Sequence, residues 1–285
     1  MPDFPIIDSH VHLYDIARLR YGWLNGIPTL NRTFLLPDFD AARADVQVDQ
    51  IVFAEVAVDP GLHLAEAAFV QELAAADPRL AGMIAHAPVE KSAAVEDDLA
   101  ALRAFPVLRG IRRLIEVERD PGFCLEPGFI EGVRRVGRHG LPFDICVKHW
   151  AMAYALELVR RCPDVQFVLD HIGKPAIKHG LREPWWGQIA ELARLPNVVV
   201  KLSGVITEAD HATWTPAQVV PYVEHVLACF GFGRVMYGSD WTVAELTHRY
   251  PTWVALLDQI VAGASTTERR ALYRGTAARI YRLAG

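Results

Sequence analysis

The chain of 285 residues has a net charge of −5, and half of its residues are hydrophobic, as expected for a protein with a large buried core. Its Lys and Arg residues form no cluster that could neutralise phosphates, so a nucleic-acid partner is disfavoured. No apolar run reaches the ~18 residues needed to span a bilayer, and the start does not resemble a secretory signal. The four cysteines lack zinc-type spacing and predict reduced thiols in a cytoplasmic protein.

Short apolar runs alternate with longer amphipathic segments along the chain. The apolar runs suit strands buried on both faces, as in a parallel sheet. The predicted strands cover residues 5–9, 50–56, 80–86, 108–114, 141–147, 165–170, 197–202 and 234–238. The predicted helices cover residues 38–48, 62–76, 93–105, 127–139, 151–162, 185–195, 217–230, 252–262 and 267–283.

Eight strands separated by helices predict an α/β protein with a (β/α)8 TIM barrel. No linker or shift in composition divides the chain, so residues 1–285 are expected to form a single domain. The alternative is a doubly wound open sheet, which usually has a Gly-rich turn after its first strand. Here the first strand is followed by His-Val-His-Leu-Tyr-Asp, which contains no glycine, so the barrel is favoured.

Polar or ionisable residues stand at the C-terminal ends of all eight predicted strands, where the active site of such a barrel lies. In chain order they are Asp8, His10, His12, Glu55, His86, Arg112, Arg113, Lys148, His149, Asp170, His171, Lys201, Ser203, Ser239 and Asp240. Buried polar groups are costly without partners. Their recurrence at one end of the barrel therefore predicts a polar cleft.

The pair His10 and His12 is the sharpest local signal. Residues two apart in a strand point to the same face, so both imidazoles can reach the barrel mouth and bind a cation such as Zn²⁺. Taken alone, the pair could be an accidental feature of a loop. In the same way, His171 could be a packed loop residue and Asp240 a turn or helix-capping residue. The ordered set after strands one, six and eight is more specific than any of its members.

Three segments together resemble the amidohydrolase superfamily. They are Ile-Asp-Ser-His-Val-His-Leu at 7–13, Asp-His-Ile-Gly-Lys-Pro at 170–175 and Gly-Ser-Asp-Trp at 238–241. The likeness is strongest to the branch of sugar lactonases and dicarboxylate lactonases, especially the L-fuconolactone and L-rhamnonolactone hydrolases. It implies that His10, His12 and His171 are catalytic and that Asp240 is the general base acting on water.

The resemblance also bears on metal content. Binuclear members of the superfamily have a carboxylated lysine after strand four, where this chain has Arg112 and Arg113. At most one divalent metal is therefore expected, Zn²⁺ for example, with His10, His12 and Asp240 as its candidate ligands. His149 remains a possible further ligand. Since some lactonases of this branch work without metal, a metal-independent reaction also remains open.

The predicted reaction is hydrolysis of a sugar-derived lactone to its aldonic acid. The candidate substrate-binding residues are Glu55, Arg113, Lys148, Trp150, Lys201 and Trp241. The three cations among them could instead form structural ion pairs. Trp23, Trp185 and Trp186 are further candidates for an aromatic wall beside a sugar ring, although the last two could simply pack at a helix start.

Two other enzyme activities and one binding function remain open. They are decarboxylation of an aromatic or unsaturated acid, hydrolysis of a dicarboxylate lactone, and non-catalytic binding of a sugar or metal. Adjacent residues of a strand alternate between faces, so only one of Arg112 and Arg113 can enter the barrel. A single arginine favours a neutral hydroxylated lactone over a dicarboxylate, which would require several.

Overall fold

The computed structural model describes residues 1–284 as alternating strands and helices. Strands β1 to β8 are Ile6–Val11, Val48–Ala54, Leu80–His86, Leu108–Arg112, Phe143–Ile145, Phe167–Leu169, Val198–Leu202 and Val235–Tyr237. Helices α1 to α10 are Leu36–Arg43, His63–Ala76, Val95–Arg103, Pro127–Arg138, Met152–Arg161, Trp185–Ala193, Pro216–Phe230, Tyr250–Ile260, Thr266–Arg270 and Thr276–Tyr281. A π-helical turn, Ala271–Gly275, joins the last two helices.

The eight strands form one sheet in chain order, and every neighbouring pair is parallel. Backbone contacts just beyond β8 bring its end to β1. Val11 and Trp241 form a parallel bridge, and the His12 amide donates to the Trp241 carbonyl at 2.6 Å. The sheet is therefore a nearly closed barrel, which confirms the predicted fold.

Several predicted boundaries were too generous. β5 and β6 keep only three residues each, because the chain leaves the ladder sooner than the apolar runs suggest. The first helix was predicted to reach residue 48 but ends at Arg43. Ala44 has a φ of +50°, which a helix cannot continue through, and β2 already begins at Val48.

A separate apolar cluster fills the interior of the barrel on the side away from the C-terminal ends of the strands. The strands contribute Ile7, Val52, Ile84, Val168, Val199 and Met236, and the C-terminal segment contributes Ala277, Ile280, Tyr281 and Leu283. The last helix thus packs against this end and leaves the opposite end to polar residues. Within the described part of the chain, no helix is long and apolar enough to span a membrane.

Candidate active site

The closure between β1 and the segment after β8 brings His10, His12 and Asp240 together. The Asp240 amide donates to the His10 carbonyl at 3.0 Å. Asp8 supports the same junction, since its carboxylate accepts from the Ser239 amide at 2.8 Å and from the Tyr250 hydroxyl at 2.9 Å. The sequence positions 10, 12 and 240 are therefore neighbours in the barrel mouth.

The two imidazoles converge on one carboxylate oxygen. Oδ1 of Asp240 lies 3.3 Å from Nε2 of His12 and 3.7 Å from Nε2 of His10. Nδ1 of His12 lies 2.9 Å from the Ala54 carbonyl, which can only accept a hydrogen bond, so this nitrogen carries the proton. Nε2 of His12 is the ring nitrogen that faces Asp240.

His171 completes the group from the loop after β6. Its Nδ1 lies 2.9 Å from Oγ of Ser203 and 3.9 Å from Oδ2 of Asp240. Gly204 makes this approach possible: a Cβ at that position would lie 2.5 Å from the same Asp240 oxygen and 2.8 Å from the His171 nitrogen. The structure therefore brings together all four residues predicted to be catalytic.

Burial and charge define the protonation states of this group. Burial raises the pKa of Asp240, but His171 and the other two imidazoles lower it more, so the carboxyl pKa is below its usual range. Burial lowers the pKa of His10 well below its ordinary value, against the opposing effect of Asp170. Burial likewise lowers the pKa of His171. At neutral pH the site therefore contains an ionised Asp240 beside neutral His10 and His171.

A buried ion-pair network lies beneath these residues. Arg112 donates to Glu55 at 2.8 Å and to Asp170 at 3.0 Å, and its Nη1 lies 3.3 Å from Nε2 of His10. Lys201 lies 3.0 Å from Asp170, and its Nζ is 3.3 Å from Nδ1 of His10. Both nitrogens of His10 therefore face a cation that is itself paired with a carboxylate.

A cavity of about 260 Å³ opens above the network. Its apolar lining consists mainly of Trp23, Val56, Leu114, Val117 and Val243, and its polar lining of His12, Glu55, Arg112, Glu116, Lys174, His171 and Asp240. Trp23 is held in place by a hydrogen bond of 2.8 Å from its indole to the Val56 carbonyl. An apolar wall thus faces the same space as the ionisable groups.

Five of the six predicted substrate-binding residues lie elsewhere, and Glu55 alone among them lines the cavity. Arg113 points away from the mouth, because its guanidinium pairs with Glu90 and with Glu118 at 2.6 Å. Arg112 enters the barrel in its place. Lys201 points into the barrel but lies below the cavity. It is fully buried there, with its Nζ 2.6 Å from a carboxylate oxygen of Asp144.

The other predicted substrate or metal ligands that lie outside the cavity are Trp241 and three residues after β5, Lys148, His149 and Trp150. Trp241 is buried against Phe34 and Phe39 and packs the loop instead of lining the cavity. Trp150 is half exposed, and Lys148 and His149 border a separate surface groove. His149 is thus not among the described groups that could hold a metal.

Two charged cavity residues, Glu116 and Lys174, were not singled out by the sequence analysis. They form an ion pair across two loops, with Nζ of Lys174 2.8 and 2.6 Å from the two oxygens of Glu116. Lys174 belongs to the Asp-His-Ile-Gly-Lys-Pro segment that was singled out in the sequence, so its position next to His171 was a usable signal. Glu116 carried no comparable signal, because it lies beyond β4 in an irregular loop.

The donor set fits one divalent cation. One ligand atom from each of His10, His12 and Asp240 lies within 4.8 Å of the others, and all three residues are buried. Neutral imidazoles and a carboxylate are suitable ligands, although a cation here must replace the contact between Arg112 and His10. A second possible group consists of His10, Asp170 and His171. Its carboxylate is already paired with Arg112 and Lys201, so a second cation there would meet two positive charges.

Comparison with known proteins agrees with this arrangement. The family model described as "Amidohydrolase" matches residues 7–283. An L-fucono-1,5-lactonase of Burkholderia multivorans is 32% identical over 97% of this chain and 96% of its own length. An L-rhamnono-gamma-lactonase of Scheffersomyces stipitis is 24% identical over 99% of this chain and all of its own. The solved structure of a Burkholderia multivorans amidohydrolase with bound zinc superimposes with a TM-score of 0.89 at 29% identity, covering 99% of this chain and 100% of that one.

The family model covers nearly the whole chain, and the barrel and the cluster of histidines and aspartate agree with it. This chain therefore belongs to the amidohydrolase family.

Proposed function

We propose that the protein hydrolyses a neutral sugar-derived lactone, of the L-fucono or L-rhamnono type, to its aldonic acid. Membership of the amidohydrolase family and the lactonase names of its relatives support a hydrolase acting on lactone esters. The observation that carries the choice of a neutral substrate is the charge state of the cavity. Its two lining cations, Arg112 and Lys174, are each paired with carboxylates.

A dicarboxylate substrate would need cations that are free to pair with it. Arg112 donates to the Glu55 carboxylate, the Glu55 carbonyl and Asp170, so its positive charge is already balanced by two carboxylates, although not all of its five N–H donors are used. Lys174 contacts both oxygens of Glu116. A carboxylate entering the cavity would have to displace one of these buried partners, whereas a hydroxylated ring requires only mixed donors and acceptors beside an apolar surface.

In the proposed reaction, the Asp240 carboxylate accepts a proton from water as the oxygen attacks the lactone carbonyl. The resulting tetrahedral oxyanion collapses, the bond to the ring oxygen breaks, and Asp240 returns the proton to the departing alkoxide. The low pKa of Asp240 keeps it ionised at neutral pH but makes it a weak base. The attacking water must therefore be polarised by other groups in the site.

Two groups are placed to stabilise the charge that develops. His171 and Arg112 line the cavity together with Asp240, and hydrogen-bond donors aimed at an oxyanion contribute strongly in a site with little water. His10 and His12 hold Asp240 in position from below. A divalent cation held by His10, His12 and Asp240 would supply Lewis-acid polarisation of the carbonyl or of the water.

We expect purified protein to contain at most one tightly bound divalent ion per chain, with zinc as the proposed metal. Of the two candidate groups within residues 1–284, the one formed by His10, His12 and Asp240 has a carboxylate that is not paired with Arg112 or Lys201. Elemental analysis of dialysed protein measures the ratio, and two ions per chain would contradict the prediction. Full activity after complete chelation would show instead that His10 and His12 act as hydrogen-bonding groups.

A panel of lactones assayed with a pH indicator tests the function. We expect kcat/KM on L-fucono- or L-rhamnono-type lactones to exceed that on any aromatic or pyrone dicarboxylate by at least ~10-fold, which corresponds to about 1.4 kcal/mol of transition-state binding. Lactone hydrolysis releases one proton and no gas. Release of carbon dioxide would favour the decarboxylase alternative, and equal turnover of a dicarboxylate would favour the dicarboxylate lactonase.

We also propose that the protein works in the cytoplasm. All four cysteines are free thiols, and three of them are buried. A reducing compartment keeps such thiols free.

A further inference from the structure

The ion pair between Glu116 and Lys174 forms part of the cavity wall. Glu116 comes from the loop after β4 and Lys174 from the loop after β6. Their side chains are 15% and 18% exposed, so each is largely enclosed and keeps one edge accessible. Cys146 donates its thiol to Glu116 at 3.4 Å from behind. The pair is therefore fixed in place while still lining the space where a substrate would lie.

The pair has unused hydrogen-bonding capacity. An ammonium has three donors and a carboxylate about four acceptor sites. Lys174 directs two contacts to Glu116, and residues 1–284 provide no further hydrogen-bond acceptor for it. Glu116 accepts from Lys174 and Cys146 and keeps free lone pairs. One donor and at least one acceptor therefore remain within a few ångströms of each other.

This combination matches hydroxyl groups and not carboxylates. Neighbouring hydroxyls both donate and accept, so they can bond to the ammonium and the carboxylate at the same time. A substrate carboxylate that approached Lys174 would lie against the negative charge of Glu116, because the two side chains are in direct contact. Removing only that negative charge should leave a cation able to bind an anion.

We propose that Glu116 and Lys174 are specificity-determining residues that bind adjacent hydroxyls of the lactone and reject carboxylate-bearing lactones. This inference rests on the proposed function for its substrate class. It concerns discrimination at the cavity wall and is separate from the chemistry at Asp240.

Replacement of Glu116 by Gln tests the proposal. E116Q keeps the shape of the side chain and removes its charge. We expect the Kd of 2-pyrone-4,6-dicarboxylate, measured by calorimetry, to fall at least 10-fold relative to the parent protein, and the KM for L-fucono-1,5-lactone to rise. The matched control is E118Q, in the same loop, whose side chain pairs with Arg113 outside the cavity. A smaller change, or an equal one in E118Q, would overturn the proposal.

A double variant covers the case in which E116Q does not fold because Lys174 is left unpaired. E116Q combined with K174M removes both charges of the pair together. We expect it to bind the dicarboxylate as weakly as the parent and to raise the KM for the neutral lactone at least 5-fold with kcat nearly unchanged, the pattern of lost uniform binding. An unchanged KM would overturn the proposal. Failure of the parent protein to hydrolyse any sugar lactone would instead refute the proposed function, while the calorimetric comparison still tests the charge discrimination.

Discussion

The substitution Asp240→Asn is expected to keep the fold and to lower kcat by at least ~10³-fold. The side chain keeps its shape, but the amide cannot accept the proton of the attacking water, and general base catalysis typically contributes 10²–10⁴-fold. Three imidazoles surround the carboxylate, with Nε2 of His12 the nearest at 3.3 Å, so its negative charge also orders the site. Steady-state kinetics on the preferred lactone measures the loss.

A matched control is Asp164→Asn, which changes an exposed aspartate at the other end of the barrel. It should leave kcat unaltered. Metal content of the same samples distinguishes loss of a ligand from loss of a base, because a base mutant can keep its ion. An Asp240→Asn protein with a tenth of the parent activity would contradict the assigned role.

Arg112→Met is expected to have the largest effect on stability, lowering the free energy of unfolding by about 3–5 kcal/mol. The substitution leaves the Glu55 and Asp170 carboxylates buried without their shared cation, and breaking a buried pair costs this much because a charge remains uncompensated. Burial alone would raise the pKa of Glu55 and of Asp170. In the parent protein Arg112 lowers the pKa of Glu55, and Lys201 and Arg112 lower that of Asp170, so both pKa values lie below their usual range. Such depressed pKa values stabilise the fold above the unfolded-state pKa of about 4, and that contribution is lost as the pH falls.

The loss of stability in the variant should therefore be largest near pH 7 and clearly smaller at about pH 3, below the unfolded-state pKa of the two carboxyls. Urea unfolding at both pH values measures it. The surface pair Arg160 and Glu191 is a suitable comparison. Both side chains are about half exposed, and the guanidinium nitrogen of Arg160 lies 2.9 Å from a carboxylate oxygen of Glu191. Arg160→Met should change stability by less than about 1 kcal/mol. A similar cost for the two substitutions would mean that the buried network does not support the barrel.

The strand count, the barrel and the grouping of His10, His12, His171 and Asp240 were predictable from the sequence. Parallel strands buried on both faces give apolar runs that stand out from the helices. The chemistry lies where those runs end, so the positions of His10, His12, His171 and Asp240 followed from the order of elements. These features depend on local sequence and on a general rule of barrel topology.

The direction of the arginine side chain at β4 was not predictable in the same way. Both faces of a barrel strand are apolar, because one meets the interior and the other meets the helices. Ile111, which has the same parity as Arg113, is compatible with either face. In the structure the inward positions are those of Gly110 and Arg112, which the hydrophobic pattern does not identify. Alternation predicted that one arginine enters but not which one.

Loop residues were the least predictable part of the site. Trp150 and Trp241 follow strands, as a cavity wall would require, yet one is half exposed and the other packs against two phenylalanines. Glu116 reaches the cavity from an irregular loop and Trp23 from a short 3-10 helix, and the positions of such segments depend on long-range contacts such as the hydrogen bond from Trp23 to Val56. The hydrophobic periodicity of a sequence does not reveal such contacts. The residues that form the cavity wall could therefore be identified only in the structure.

The hydroxyl of Tyr281 donates to Asp144 at 2.8 Å, and its ring lies 5.3 Å from Nζ of Lys201. Lys201 in turn lies beside His10. During synthesis, Tyr281 is the last member of this group to leave the ribosome, after all eight strands. The hydrogen bonds under the site are therefore completed only after all eight strands have been synthesised, and a nascent chain that already has every strand still lacks one of the groups that support its first histidine.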